Sequence, residues 1–201
     1  MKKSERQFTI ILIIMGILLL SLFVGIMYYK KSYEKAFFSY NGFDFKRVKN
    51  GYEMSIYINE QKTPNVISLR SDPRDLEDIP LDSLVYLLPK KEQIFATINP
   101  YDNLTGVTAM AVLELDKIID NPFLYRIPLN ASFTEPYEGK GIGVKTCKDA
   151  DEKTAVLWLR LEDQTRVYED NGCLIVAGVK EDDLIRAADR ILYTILGIME
   201  R

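Results

Sequence analysis

The chain has 201 residues, a net charge of −3, 47% apolar residues, two Cys and no His. Without His it lacks the commonest metal ligand and the commonest general base near neutral pH, which excludes most zinc enzymes, Ser-His-Asp hydrolases and Cys-His proteases. The acidic balance beyond a basic N-terminal flank argues against a nucleic-acid partner.

Residues Phe8–Tyr29 read FTIILIIMGILLLSLFVGIMYY and carry no charge. As a helix this run is roughly 33 Å long, about the apolar thickness of a bilayer. It reads as an uncleaved transmembrane signal anchor whose first partner is membrane lipid. It is longer than the apolar core of a cleaved signal peptide, and no small-x-small cleavage triplet follows it. The flanks, with Lys2, Lys3 and Arg6 before it and Lys30, Lys31 and Lys35 after it, differ little in charge. The positive-inside rule therefore gives only a slight vote for a cytoplasmic N-terminus at residues 1–7. The even Cys count and two sequons, Asn103-Leu-Thr105 and Asn130-Ala-Ser132, point the same way and place the body outside the cytoplasm. Both Asn residues are thus candidate glycosylation positions.

Residues 30–50 form the juxtamembrane segment. Tyr28, Tyr29, Tyr33, Phe37, Phe38 and Tyr40 suit headgroup depth. The helix is expected to run on toward Phe38 until Asn41-Gly42 breaks it.

The body, 51–201, predicts an α+β domain of mainly antiparallel strands with two helices on one face. Strands are expected at Tyr52–Ile58, with a turn at 59–64, and then at Val66–Leu69, Leu84–Leu88 and Ile94–Ile98, the last two as a hairpin. Asp102 and Asn103 then suit the cap of a helix whose apolar positions are Leu104, Val107, Ala111, Leu115 and Ile118. After it, Phe123–Leu129 reads as extended and Ala131–Gly143 as an irregular link. Ile142–Cys147, Ala155–Leu161, Thr165–Tyr168 and Cys173–Ala177 follow as strands. A closing helix is expected from Asp182 to Met199. Sliding the chain by 80 residues places Leu104, Ala111, Leu115 and Ile118 on Leu184, Ile191, Ile195 and Ile198. This suggests a duplicated β-β-β-α unit, 51–121 and 122–201.

Cys147 at the end of one strand and Cys173 at the start of another predict a disulfide, the alternative being two buried thiols. Arg70, Asp72, Asp75, Asp149 and Asp151 form a possible ligand surface, beside the plainer reading of solvated turns and caps. Asp149-x-Asp151-Glu152 lacks the Gly and closing Glu of a calcium loop. Gly139-Lys-Gly-Ile-Gly143 lacks the Gly-Lys-Ser/Thr ending of a phosphate loop. No metal or cofactor is expected, and Trp158 reads as core.

The anchor, Ile67-Ser-Leu-Arg-Ser-Asp-Pro-Arg-Asp-Leu, Val144-Lys-Thr-Cys, Asn171-Gly-Cys-Leu-Ile-Val and the stretch from Asp183 to Gly197 resemble an uncharacterised group of single-span, membrane-anchored archaeal proteins. That resemblance implies an anchor and carries no catalytic residue. The function expected is a tethered extracytoplasmic binding or assembly module with protein partners in the cell envelope, rather than an enzyme. The alternatives are a carboxylate-dependent envelope enzyme, such as a glycan hydrolase, and a ligand or ion sensor.

Overall fold

The computed structural model describes residues 2–57, 64–139 and 141–200. Ile58 and most of the expected 59–64 turn lie outside the described residues, as does Lys140 of the Gly-rich stretch. The chain divides into two units, residues 1–38 and 39–201.

The first unit is dominated by helix α1, Lys2–Ala36. Its window Ile13–Lys30 is long and apolar enough to cross a membrane, and none of it is buried by the rest of the chain. Between Ile13 and Tyr29 the helix carries no charge and has no polar face to turn to water, so that stretch needs lipid or another apolar partner. At its C-terminal end Tyr33 stacks on Tyr29 and Phe37, with centroids 6.5 and 4.6 Å away, the spacing at which helical neighbours meet.

Strand formation begins earlier than Tyr52. Strands β1 (Phe37–Tyr40), β2 (Phe43–Val48), β3 (Gly51–Ile56) and β4 (Asn65–Leu69) make a four-stranded antiparallel sheet in that order. Asn41-Gly42 ends no helix. It joins β1 to β2, with φ of 47° and 83°, the left-handed pair that a two-residue hairpin requires.

The second sheet is mixed, ordered β6-β5-β7-β9-β8. Its strands are β5 (Gln93–Ile98), β6 (Leu129–Phe133), β7 (Thr154–Leu161), β8 (Arg166–Asp170) and β9 (Cys173–Gly178). β5 runs parallel to both β6 and β7, and β7 parallel to β9, while β8 pairs antiparallel with β9. Helices α2 (Gly106–Ile119) and α3 (Glu181–Ile195) pack on each other and on one face of this sheet. The residues sealed there include Ile94, Ala96, Leu157, Leu159, Leu174, Val176, Ala111, Leu115, Leu184, Ala188 and Ile191. The antiparallel sheet joins the same core where Phe45 meets the edge of Tyr193, centroids 5.9 Å apart.

Several expectations change. Residues 84–88 are no strand: Ser83–Lys90 is a 3-10 helix capped by Asp82, whose carboxylate accepts from Leu84 N at 2.8 Å. Val85 and Leu88, three apart, turn inward, which suits three residues per turn. The hairpin expected with 94–98 is accordingly absent. The extended segment lies at 129–133, not 123–129, and 142–147 contributes only a bridge from Val144 to Phe133. Thr105, not Asp102 or Asn103, caps α2, and Asn103 is exposed. The duplicated unit is not confirmed. A shift of 80 lays β5 on β9, but α3 starts too early to match α2, and the 3-10 helix at 83–90 falls on β8.

Candidate binding cleft

Alternation along the central strands divides their side chains between two faces of the mixed sheet. Leu157, Leu159, Leu174 and Val176 meet the helices. Val156, Cys173, Ile175 and Ala177 form a separate buried cluster, with Cys147, Ala150, Trp158 and Tyr168 packed against it. Neither α2 nor α3 covers this second face. It is crossed instead by the connection from β6 to β7, residues 134–153, because β6 and β7 flank β5 on opposite sides.

Several attachments hold this strap down. Thr97 Oγ1 donates to Lys145 O at 2.9 Å. The Lys145 ammonium sits 5.0 Å from the centre of the Phe95 ring. Cys147 is disulfide-bonded to Cys173, with Cα atoms 4.8 Å apart. The bridge therefore exists, although Cys147 opens a 3-10 turn (Cys147–Asp149) rather than ending a strand. Both the main-chain N–H and the hydroxyl of Thr146 donate to Asp149 Oδ2, at 2.8 and 3.2 Å, closing that turn.

Between strap, sheet and the β8–β9 turn lies an open cleft of about 1040 Å³, lined by Asn99, Thr134, Glu135, Thr146, Cys147, Lys148, Trp158, Asp170 and Asn171. Trp158 is the aromatic residue of this lining. Arg160 lies over its ring at 4.7 Å, and the buried Trp158 Nε1 has no hydrogen-bond partner among the described residues. Asn171 and Gly172 make the second Asn-Gly hairpin turn, with φ of 52° and 86°. The Asn171 amide is held by Asp170 Oδ1 at 2.7 Å. Asn99 Oδ1 accepts from Tyr101 N at 2.9 Å. Glu135 and Lys148 are exposed and make no ion pair or side-chain hydrogen bond among the described residues. They are the two uncommitted charges of the cleft.

Beside the cleft, Glu162 ties the same face together. It accepts from Arg160 at 2.6 Å, Arg166 at 3.0 Å and the Tyr168 hydroxyl at 2.6 Å. Burial alone would raise the Glu162 pKa, but these three donors outweigh it and hold the carboxyl below the usual range.

The five residues expected as a ligand surface occupy two different turns, and none lines the cleft. Arg70 Nε donates to Glu114 at 2.7 Å. Asp72 is buried, caps the 3-10 turn Pro73–Leu76 and grips Arg74 at 2.8 and 2.6 Å. Asp75 is exposed, and its carbonyl accepts from Arg186 at 2.8 Å. Asp149 caps as described, and Asp151 Oδ1 accepts from Lys153 N and Thr154 N at 2.8 and 2.7 Å. Main-chain N–H donors hold Asp149 and Asp151 below the ordinary carboxylate range. Asn130 is exposed on the edge strand β6, and Ser132 of its sequon is buried.

A carboxyl with a far larger displacement lies elsewhere. Asp189 on α3 is fully buried; its Oδ2 accepts from Ser71 N at 2.7 Å and Arg70 N at 3.2 Å, and its Oδ1 has no partner among the described residues. Burial pushes its pKa up to about 7. General acid–base work requires contact with the reacting atoms, and a sealed carboxyl has none. Trp158, Glu135, Lys148 and Asn171 were not singled out as a site from the sequence. Their one advance signal was the Cys pair, which draws residue 147 onto the start of β9. Comparison with protein-family models, curated proteins and solved structures finds no match.

Proposed function

We propose that the chain is a membrane-tethered binding module of the cell envelope, with residues 39–201 on the extracytoplasmic side and an envelope component held in the cleft beside Trp158. One observation carries this reading. A strap pinned by a disulfide lies across a sheet face and leaves a cleft lined by Trp158 and by Glu135 and Lys148, whose charges the fold does not consume. Pockets of this kind, with apolar surface and a few convergent polar groups, are the usual form of a binding site. The apolar helix supports lipid as the constant partner, and the disulfide supports an oxidising compartment. Protein partners, and kinship with single-span archaeal membrane proteins, belong to the same proposal.

The test is site-specific photo-crosslinking in native membranes, with the photoreactive residue at position 148 or, as control, at Leu113 on α2. Adducts specific to position 148 are expected. Identical adducts from both positions, or none from 148, overturn the reading. Protease added to intact cells should digest the 39–201 region; complete protection would reverse the orientation.

A further inference from the structure

We infer that the ligand class of the cleft is a neutral, hydroxyl-rich oligosaccharide, an inference that rests on the cleft being the binding site. The lining includes one indole, Trp158; the Arg160 guanidinium lies over one face of its ring, and the rest of that apolar surface suits the C–H face of a pyranose. The rim supplies two amides (Asn99, Asn171), two hydroxyls (Thr134, Thr146), two carboxylates (Glu135, Asp170) and one ammonium (Lys148). Each sugar hydroxyl both donates and accepts, and this rim offers both roles. A phosphate-rich or otherwise polyanionic ligand would meet two carboxylates against one ammonium. A small metabolite would leave space unfilled, since about 1040 Å³ lies just above the roughly 300–1,000 Å³ usual for small-molecule sites. An extended chain of sugars fills such a volume along its length.

A peptide fits less well. Peptides that dock on sheets commonly do so by adding a strand to an open edge. Here each edge of the mixed sheet is bridged at one residue, which shortens the run of free main-chain groups an added strand needs. Val167 of β8 donates to Pro80 O at 2.8 Å and accepts from Asp82 N at 2.9 Å. Phe133 of β6 donates to Gly143 O at 3.0 Å and accepts from Lys145 N at 2.8 Å.

Trp158 is the only tryptophan in the chain, so its emission reads the cleft directly. The full-length protein in detergent micelles is titrated with cellohexaose, chitohexaose and mannohexaose, and the heat of binding is measured in parallel. At least one is expected to give a saturable emission change matched by calorimetry. Replacing either exposed charge, as Glu135→Ala or Lys148→Ala, should weaken that affinity about tenfold, the usual cost of one charged hydrogen bond, without lowering the melting temperature. Binding that both variants leave unchanged overturns the inference, because the sugar then sits elsewhere. No response to any of the three, with a protein cross-linked specifically from position 148, rejects the ligand class and keeps the site. No response and no adduct reject both.

Discussion

At the scale of single residues, burial and hydrogen bonding displace the carboxyls in opposite directions. Asp72, Asp149, Asp151, Glu162 and Glu181 are held below their ordinary range by N–H and O–H donors and by cations. Their contribution to stability is complete above an unfolded carboxyl pKa of about 4 and is lost as pH falls through their lower folded values. Asp189 has the opposite sign. Its folded pKa is raised to about 7, so the folded state retains a proton that the unfolded chain has released. Stability therefore declines as pH rises from about 4 to 7, by at most about 4 kcal/mol over the whole window. The groups facing Asp189 are Glu114 and Lys117 from α2, Tyr193 from α3, the main chain of Arg70, and both the main chain and the side chain of Ser71. Asp116, also raised by burial, adds in the same sense. Urea unfolding at pH 5 and pH 8 should show the wild type weaker at pH 8 and Asp189→Asn with most of that difference removed. An unchanged difference in the variant would show that Asp189 is not its source.

At the scale of elements, the two helices are joined end to end by one side chain. Glu181, the first residue of α3, accepts at Oε2 from Thr105 N, Thr108 N and the hydroxyls of both threonines, at 2.7 to 3.1 Å. It caps α2 from another element and places a negative charge at the positive end of the α2 dipole. Glu181→Ala should cost about 1–2 kcal/mol in a denaturant melt; a loss indistinguishable from zero would mean that water replaces it. The strap is the second such device. The disulfide closes a sequence separation of 26 residues, and its loss, as Cys147→Ala with Cys173→Ala, should cost about 3.5 kcal/mol on the chain-entropy estimate. Urea melts of the oxidised wild type and the double variant check this.

Most of these elements were legible in the residues. Ala155–Leu161, Cys173–Ala177 and the closing helix carry dense apolar patterns, and they form where expected. Leu84–Leu88 misled because Val85 and Leu88 serve a three-residue turn as readily as a strand. Leu129–Phe133, with Asn130 and Ser132 in its middle, lacks the apolar run of a buried parallel strand, because it stands at a sheet edge. The cleft was not legible. Glu135 and Asn171 are far apart in the chain, and only the route of the 134–153 crossover brings them together.

At the scale of the molecule, an apolar helix precedes a domain closed on its own core. The window Ile13–Lys30 has no burial of its own, and moving roughly 18 such residues from lipid into water is strongly unfavourable. The protein should therefore stay with the membrane pellet through alkaline carbonate washing and enter solution only with detergent. Recovery in the carbonate supernatant would show that the helix does not hold it there.

The late position of α3 has a consequence for biosynthesis. α3 packs on α2, on β9 and on both 3-10 segments ahead of β5, while Asn41 donates to Ile198 O and Tyr125 to Ile195 O. Each layer made earlier lacks its inner wall until α3 is synthesised. A chain that ends short of Glu181 therefore lacks the closed core, and with residues 39–201 extracytoplasmic, as proposed, it would reach a translocation channel before that core can close. Under that proposal folding waits for the far side, where the two thiols can also meet an oxidant.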